Sequence, residues 1–165
     1  MTPEDVLKAA IREAWASIPP PPLEDLEYMA WGWGEEAYRA FAGVAPMDVD
    51  ISSVGFYSAL PLLDLSPRFG AAYLGTYLLS LLCSLETQRS LGISSDIETR
   101  AHTLTCLELP WFWERVVQRF LPLRCREVLV QVVDFLVSEP DALALTPQQT
   151  EAMVTLAAQS VNAKA

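Results

Sequence analysis

Apolar positions recur at helical spacing along most of the chain, and one run has no polar face at all. Ser66-Pro67 opens it, and between Phe69 and Leu85 no side chain is charged. Serine is a favoured N-cap, and proline suits the first helical position because the amide there lacks an intrahelical partner anyway. A helix over residues 67–91 that is apolar nearly all round cannot face water on any side, so other elements must wrap it. Gly92 is placed to end it.

The flanking runs read as the wrapping. Thr2-Pro3-Glu4-Asp5 combines a capping hydroxyl, an N1 proline and carboxylates on the positive end of a helix dipole. Val6, Leu7, Ala10, Ile11, Ala14, Trp15 and Ile18 then paint one apolar face. Pro19 to Pro22 form a stiff extended connector. Residues 23–41 are helical in two pieces, with Leu23, Leu26 and Met29 inward from the first and Ala37, Tyr38 and Phe41 from the second. Trp31-Gly32-Trp33-Gly34 lies between them, and Gly43 is placed as the stop. Residues 45–50 read as a loop, and 51–63 as a short helix or an irregular apolar segment interrupted by Pro61.

Residues 97–107 fit a strand or a helix equally, because short apolar runs do not decide between the two periods. Pro110 introduces a helix to Leu121 with Phe112, Val116, Val117 and Phe120 inward and Arg115 and Arg119 outside. Residues 123–137 form the next, with Val128, Leu129, Val132, Val133 and Leu136 at core spacing. Residues 138–145 are a turn, and Thr146 with Gln149 makes a capping box for a last helix carrying Ala152, Met153, Leu156 and Ala157, its tail frayed from about residue 160. The fold expected is all-α: one helical domain over residues 1–165, an irregular bundle around a buried central helix at about residues 67–91.

Composition sharpens this picture in three ways. With 165 residues, 52% hydrophobic and 19% charged, the chain is the size of one domain with a real core. The central run is long enough to raise a membrane span, which needs about 17–25 apolar residues. Gly70, Gly75, Thr76, Ser80 and Ser84 dilute it, no basic cluster flanks it, and amphipathic helices are at hand to bury it, so a core helix is expected. Cys83, Cys106 and Cys125 each sit in a mostly apolar stretch and read as reduced core thiols, and the acidic start Met1-Thr2-Pro3-Glu4-Asp5 has no secretory pattern; both favour a cytoplasmic location.

Charge is the most informative of the bulk properties. The net charge of -10 disfavours nucleic acid and anionic membranes as partners and favours cationic ones. It is unevenly spread: residues 1–64 hold 11 acids against 3 bases, whereas residues 65–138 hold seven of each. The acidic third also contains Tyr28, Trp31, Trp33 and Tyr38. Carboxylates among rigid aromatics make a surface that steers and anchors a basic partner. The candidate partner-binding residues are Glu24, Asp25, Glu27, Trp31, Trp33, Glu35, Glu36, Asp48 and Asp50. The bland alternatives are indoles filling core gaps and a solvated acidic face that keeps the protein soluble.

Reaction chemistry is harder to assemble. A single histidine cannot build a multi-imidazole metal centre. His102 and Cys106 are four apart and would share a helix face, but a thiolate–imidazole pair needs a third orienting group, so a packed thiol is expected. Asp48-Val49-Asp50 resembles the two-carboxylate cation clamp of sugar-nucleotide enzymes, yet no phosphate-binding loop accompanies it, and a polar turn explains it. Adjacent helical residues such as Glu35 and Glu36 point about 100° apart and form no acid–base pair. No catalytic residue, metal or cofactor is expected.

One resemblance joins several of these positions. Glu35-Glu36 leading to Phe41 and Gly43, Leu65-Ser66-Pro67 followed by Phe69, Tyr73, Leu74 and Tyr77, and Arg126, Val128 and Asp134-Phe135-Leu136 resemble a family of small, mostly helical bacterial proteins of unknown function. That resemblance implies a helical fold and no activity. In kind, a small acidic helical protein is similar to bacterial immunity proteins, which occlude the active site of a toxin that is often cationic. The expectation is therefore a non-catalytic toxin inhibitor acting by protein–protein interaction. The alternatives are an adaptor or homo-oligomeric subunit, including a homodimer, and an enzyme with an unfamiliar carboxylate site.

Overall fold

A capping box starts the first helix. Thr2 Oγ1 accepts from the Asp5 amide at 3.2 Å while the Asp5 carboxylate accepts from the Thr2 amide at 2.9 Å, and helix α1 runs over Pro3–Trp15. The computed structural model describes residues 2–22, 41, 43–51, 67–92 and 97–162, with the backbone alone at 97 and 98. Among these residues every regular element is helical. The two-piece helix expected over 23–41, the Trp31–Trp33 pair, the segment 52–63 and the Ser66 cap lie outside the described residues.

The buried face of α1 is Leu7, Ile11, Ala14 and Trp15; Val6, expected inward, is 48% exposed. The face has rotated because Glu4 and Lys8, not Val6, meet the central helix. Glu4 pairs with Arg89 and Lys8 with Glu86. Burial pushes the Lys8 ammonium down, but the Glu86 hydrogen bond and the charges of Cys83 and Glu86 more than offset it, so its pKa lies above the ordinary lysine value.

The central helix, α2 (Pro67–Leu91), is buried at every position from Phe69 to Leu78. It is long and apolar enough to cross a membrane, and 78% of its apolar window is covered by the rest of the molecule. Gly92 ends it with φ at +66°, its amide donating to the Gln88 carbonyl at 2.9 Å. Where α1 crosses α2, a Cβ on Gly75 would lie 2.6 Å from the Trp15 indole, so only glycine lets that ring close. Trp15 Nε1 donates to the Ala71 carbonyl one turn earlier, at 3.2 Å.

Residues 97–107, undecided from sequence, are helical: α3 covers Ile97–Glu108. Thr99, Thr103, Leu104, Cys106 and Leu107 are buried, and the adjacent pairs 103/104 and 106/107 fit the face of a helix and break the alternation of a strand. A helix over residues 110–120, α4, follows Pro110 and contains a π-helical turn, Trp113–Val117, in which the Gln118 amide reaches the Trp113 carbonyl five residues back. The wider turn carries both Phe112 and Trp113 into the core and leaves Trp111 38% exposed. Trp113 Nε1 donates to the Leu107 carbonyl at 2.8 Å, tying α4 to the end of α3.

Helix α5 (Leu123–Val137) buries the five core positions expected of it and packs between α1 and the last helix. The expected turn at 138–145 contains a short helix, α6 (Pro140–Leu143), closed by Ala144 in the left-handed region at φ +52°. The Thr146–Gln149 capping box forms as expected and opens α7 (Pro147–Asn162). Helix α7 continues through Asn162, and the rest of the tail expected to fray, residues 163–165, lies outside the described residues. Ser160 is fully buried, and the buried Arg126 of α5 donates to its carbonyl at 2.9 Å. A cation on the last carbonyls complements the negative end of the helix dipole.

Two cysteines are core thiols as expected. Cys106 is fully enclosed, and Cys125 donates its S–H to the Ala14 carbonyl at 3.2 Å. Cys83 is a correction: it lies on the outer face of α2 and is exposed.

Candidate functional site

Aromatic packing holds the segment that carries the two described candidate carboxylates. Phe41 stacks edge-on against Phe69 and Tyr73, with ring centroids 5.5 and 5.0 Å away. The Tyr73 hydroxyl lies 2.8 Å from the Phe41 carbonyl and 2.9 Å from that of Val44, a shared donation spanning Gly43, whose φ is +69°. Thr76 donates to the carbonyl of Pro46, which starts a 3-10 turn, Pro46–Asp48. From there the backbone is extended at Val49, so side chains alternate. Val49 and Ile51 turn into the core, and Asp48 and Asp50 stand exposed on the outer edge.

That edge borders a groove of about 390 Å³ between α1 and α2. Asp50 lies on one wall and Arg12 on the other; Thr76, Leu79, Ser80, Cys83, Ser84 and Thr87 of α2 form the floor. The floor is the polar side of an otherwise apolar helix. Thr76, Ser80 and Ser84 on this floor are among the residues that dilute the central run in the sequence.

Of the nine candidate partner-binding residues, Asp48 and Asp50 are described and share one exposed edge. Glu24, Asp25, Glu27, Trp31, Trp33, Glu35 and Glu36 lie outside the described residues. In the His102–Cys106 pair, burial pushes the Cys106 thiol up to about 12, away from the thiolate that a nucleophile needs. Tyr77, beside it, is raised well above its ordinary value, first by burial and then by Cys106. Among the described residues no three His, Cys, Asp or Glu side chains gather closely enough to hold a metal ion.

A second recess was not anticipated from the sequence. Ser17, Ile18 and the four prolines 19–22 face the first turns of α2 and the α4–α5 corner across a cleft of about 510 Å³. The polyproline run signalled a stiff connector, but that it walls a cleft depends on contacts with residues about 50 and 100 positions away. Compared with known families, curated proteins and solved structures, the chain matches none.

Proposed function

We propose that this chain is a non-catalytic binding protein that captures a cationic protein, most specifically an immunity protein that occludes a cognate bacterial toxin. The observation that carries this reading is the charge distribution: the net charge is -10, and residues 1–64 alone hold 11 acids against 3 bases. A surface of that sign accelerates encounter with a basic partner and rejects nucleic acid and anionic membrane. Asp48 and Asp50 support it, since both carboxylates stand exposed on a segment held down by Tyr73 and Thr76. A preordered acidic edge binds without the entropy cost of arranging itself on contact.

The test begins with capture on the immobilised chain from the native host, followed by titration of the purified partner. The reading requires a cationic protein bound at fixed stoichiometry whose toxicity is relieved when this chain is co-expressed. A triple variant, Glu36→Lys with Asp48→Lys and Asp50→Lys, should bind at least tenfold more weakly at low salt while keeping its helical content. Equal binding by that variant would overturn the proposal.

A second reading, a homo-oligomeric subunit, has one observation in its favour. Val154, Ala158 and Val161 are exposed at successive turns of α7 and form an apolar strip. Sedimentation at micromolar concentration separates the two readings, because a capture protein is monomeric there and Val154→Glu would leave it so.

A further inference from the structure

The outward face of α4 carries the charge opposite to that of the acidic edge. Trp111, Arg115 and Arg119 stand on it, all three exposed. In a regular α-helix, residues four apart drift by about 40° around the axis. The π-helical turn Trp113–Val117 takes up that drift, and the burial pattern records it: the enclosed pairs Phe112–Trp113 and Val116–Val117 recur at an interval of four. Trp111, Arg115 and Arg119 keep the same interval on the exposed side, so they form one column with about 6 Å of axial rise between neighbours.

The chemistry of this column is spent on little else. Arg115 has no ion-pair partner among the described residues, and Arg119 lies against its own neighbour, the Phe120 ring, at 5.4 Å. Trp15 and Trp113 give their indole N–H groups to core carbonyls, whereas the Trp111 indole makes no such bond among the described residues. Glu114 is the one acid of α4; it is exposed in the neighbouring column, roughly a quarter-turn from Arg115.

We infer that this column docks an extended acidic segment of a partner protein, with carboxylates at two alternate positions against Arg119 and Arg115 and an apolar side chain two residues further on against Trp111. An extended chain places alternate side chains about 6.6–6.8 Å apart, close to the spacing of the column. The planar fork of arginine donates to both oxygens of a carboxylate, and tryptophan is favoured as an anchor at binding surfaces. The net charge of -10 opposes an acidic arrival, but at physiological salt the field of exposed charges fades over about 8 Å, so the contacts of the column act at a range where the distant acids do not. This face is separate from the acidic edge and stands whether or not that edge captures a cation.

The full-length protein is titrated at about 150 mM salt with the end-capped peptide Glu-Ser-Glu-Ser-Phe, followed by amide and indole N–H resonances. Saturable binding at millimolar peptide is expected, with shifts at the Trp111 indole and the Arg115 and Arg119 amides. A double variant, Arg115→Glu with Arg119→Glu, should bind at least fivefold more weakly with unchanged helical content. Removing the opposing charge with Glu114→Lys should tighten binding at least twofold, and Asp48→Asn, on the acidic edge, should leave it within twofold of the parent. If the double variant fails to fold, Arg115→Gln alone should lose at least twofold. Absence of saturable shifts on α4, equal affinity in the arginine variants, or the same shifts from Lys-Ser-Lys-Ser-Phe would each overturn the inference. Salt-sensitive self-association that the arginine variant loses, without peptide binding, would also overturn it, making a second copy of this chain the occupant.

Discussion

Gly75 and Trp15 show how a single missing methyl group sets a helix crossing. Alanine in a helix interior is ordinarily favoured over glycine by about 1 kcal/mol. Here the added Cβ would meet the indole at 2.6 Å, and the ring is fully buried with its N–H on the Ala71 carbonyl, so it cannot swing away. Overpacking of this kind costs about 1–3 kcal/mol. Gly75→Ala should therefore lower the urea midpoint despite its better propensity, and an unchanged or raised midpoint would mean that Trp15 repacks freely. The cysteines give a second check at this scale. Cys83 is exposed, while burial pushes Cys106 up to about 12 and Cys125 up to about 11. Because the thiolate is the reactive form, a disulfide reagent at pH 8 should modify one thiol in the native protein and three after unfolding, and Cys83→Ser should abolish the native reaction. That Cys83 faces outward was hidden in the sequence, where its neighbours Leu81, Leu82 and Leu85 make it look like core.

At the scale of elements, what was legible is what local chemistry decides. Both capping boxes, the glycine stop at 92 and the five inward positions of α5 follow from residues a few positions apart, and all are present. Thr146→Ala removes a cap from α7 and should cost about 1 kcal/mol in thermal or denaturant unfolding. At the other box, the hydrogen bonds from Thr2 lower the Asp5 pKa. A carboxyl with a depressed folded-state pKa contributes stability above its unfolded pKa and loses it as pH falls through the folded one. Thr2→Ala should therefore matter less in strong acid than at pH 7. The misjudged features depend on distant partners: α1 turns its Glu4–Lys8 edge inward because Arg89 and Glu86, 85 and 78 residues away, receive those charges. A distant partner also meets the last turn of α7, where Arg126 donates to the Ser160 carbonyl. Arg126→Met should cost about 2 kcal/mol, the worth of a charge-assisted hydrogen bond, and should speed amide exchange in the last turn of α7 first. The acidic edge was legible as far as Asp48 and Asp50; the groove and the proline cleft were not, since each is lined by segments that only tertiary packing brings together.

Across the whole molecule, one helix is enclosed by the others and a few polar links fasten the shell. Arg89 near the end of α2 pairs with Glu4 of α1 and, at 2.8 Å, with Glu139 before α6, while its guanidinium lies 5.8 Å from the centre of the Phe135 ring. Alkali should loosen this assembly from inside. Burial raises Tyr73 to about 12, Cys106 to about 12 and Cys125 to about 11. Groups whose folded-state values are raised stabilise fully below their unfolded values, 10 for the tyrosine and 9 for the thiols, and that contribution drains away as pH climbs through the folded ones. The denaturant midpoint should hold steady to about pH 8.5 and fall steeply between about pH 9 and pH 12. The position of α2 in the order of synthesis has a further consequence. Among the described helices that sheathe it, α1 precedes it, whereas α3 and α4 are made afterwards. A released fragment ending at Gly92 carries this greasy rod, with the length of a bilayer anchor, without α3 and α4 to cover it, and should partition into liposomes from which the finished protein is excluded.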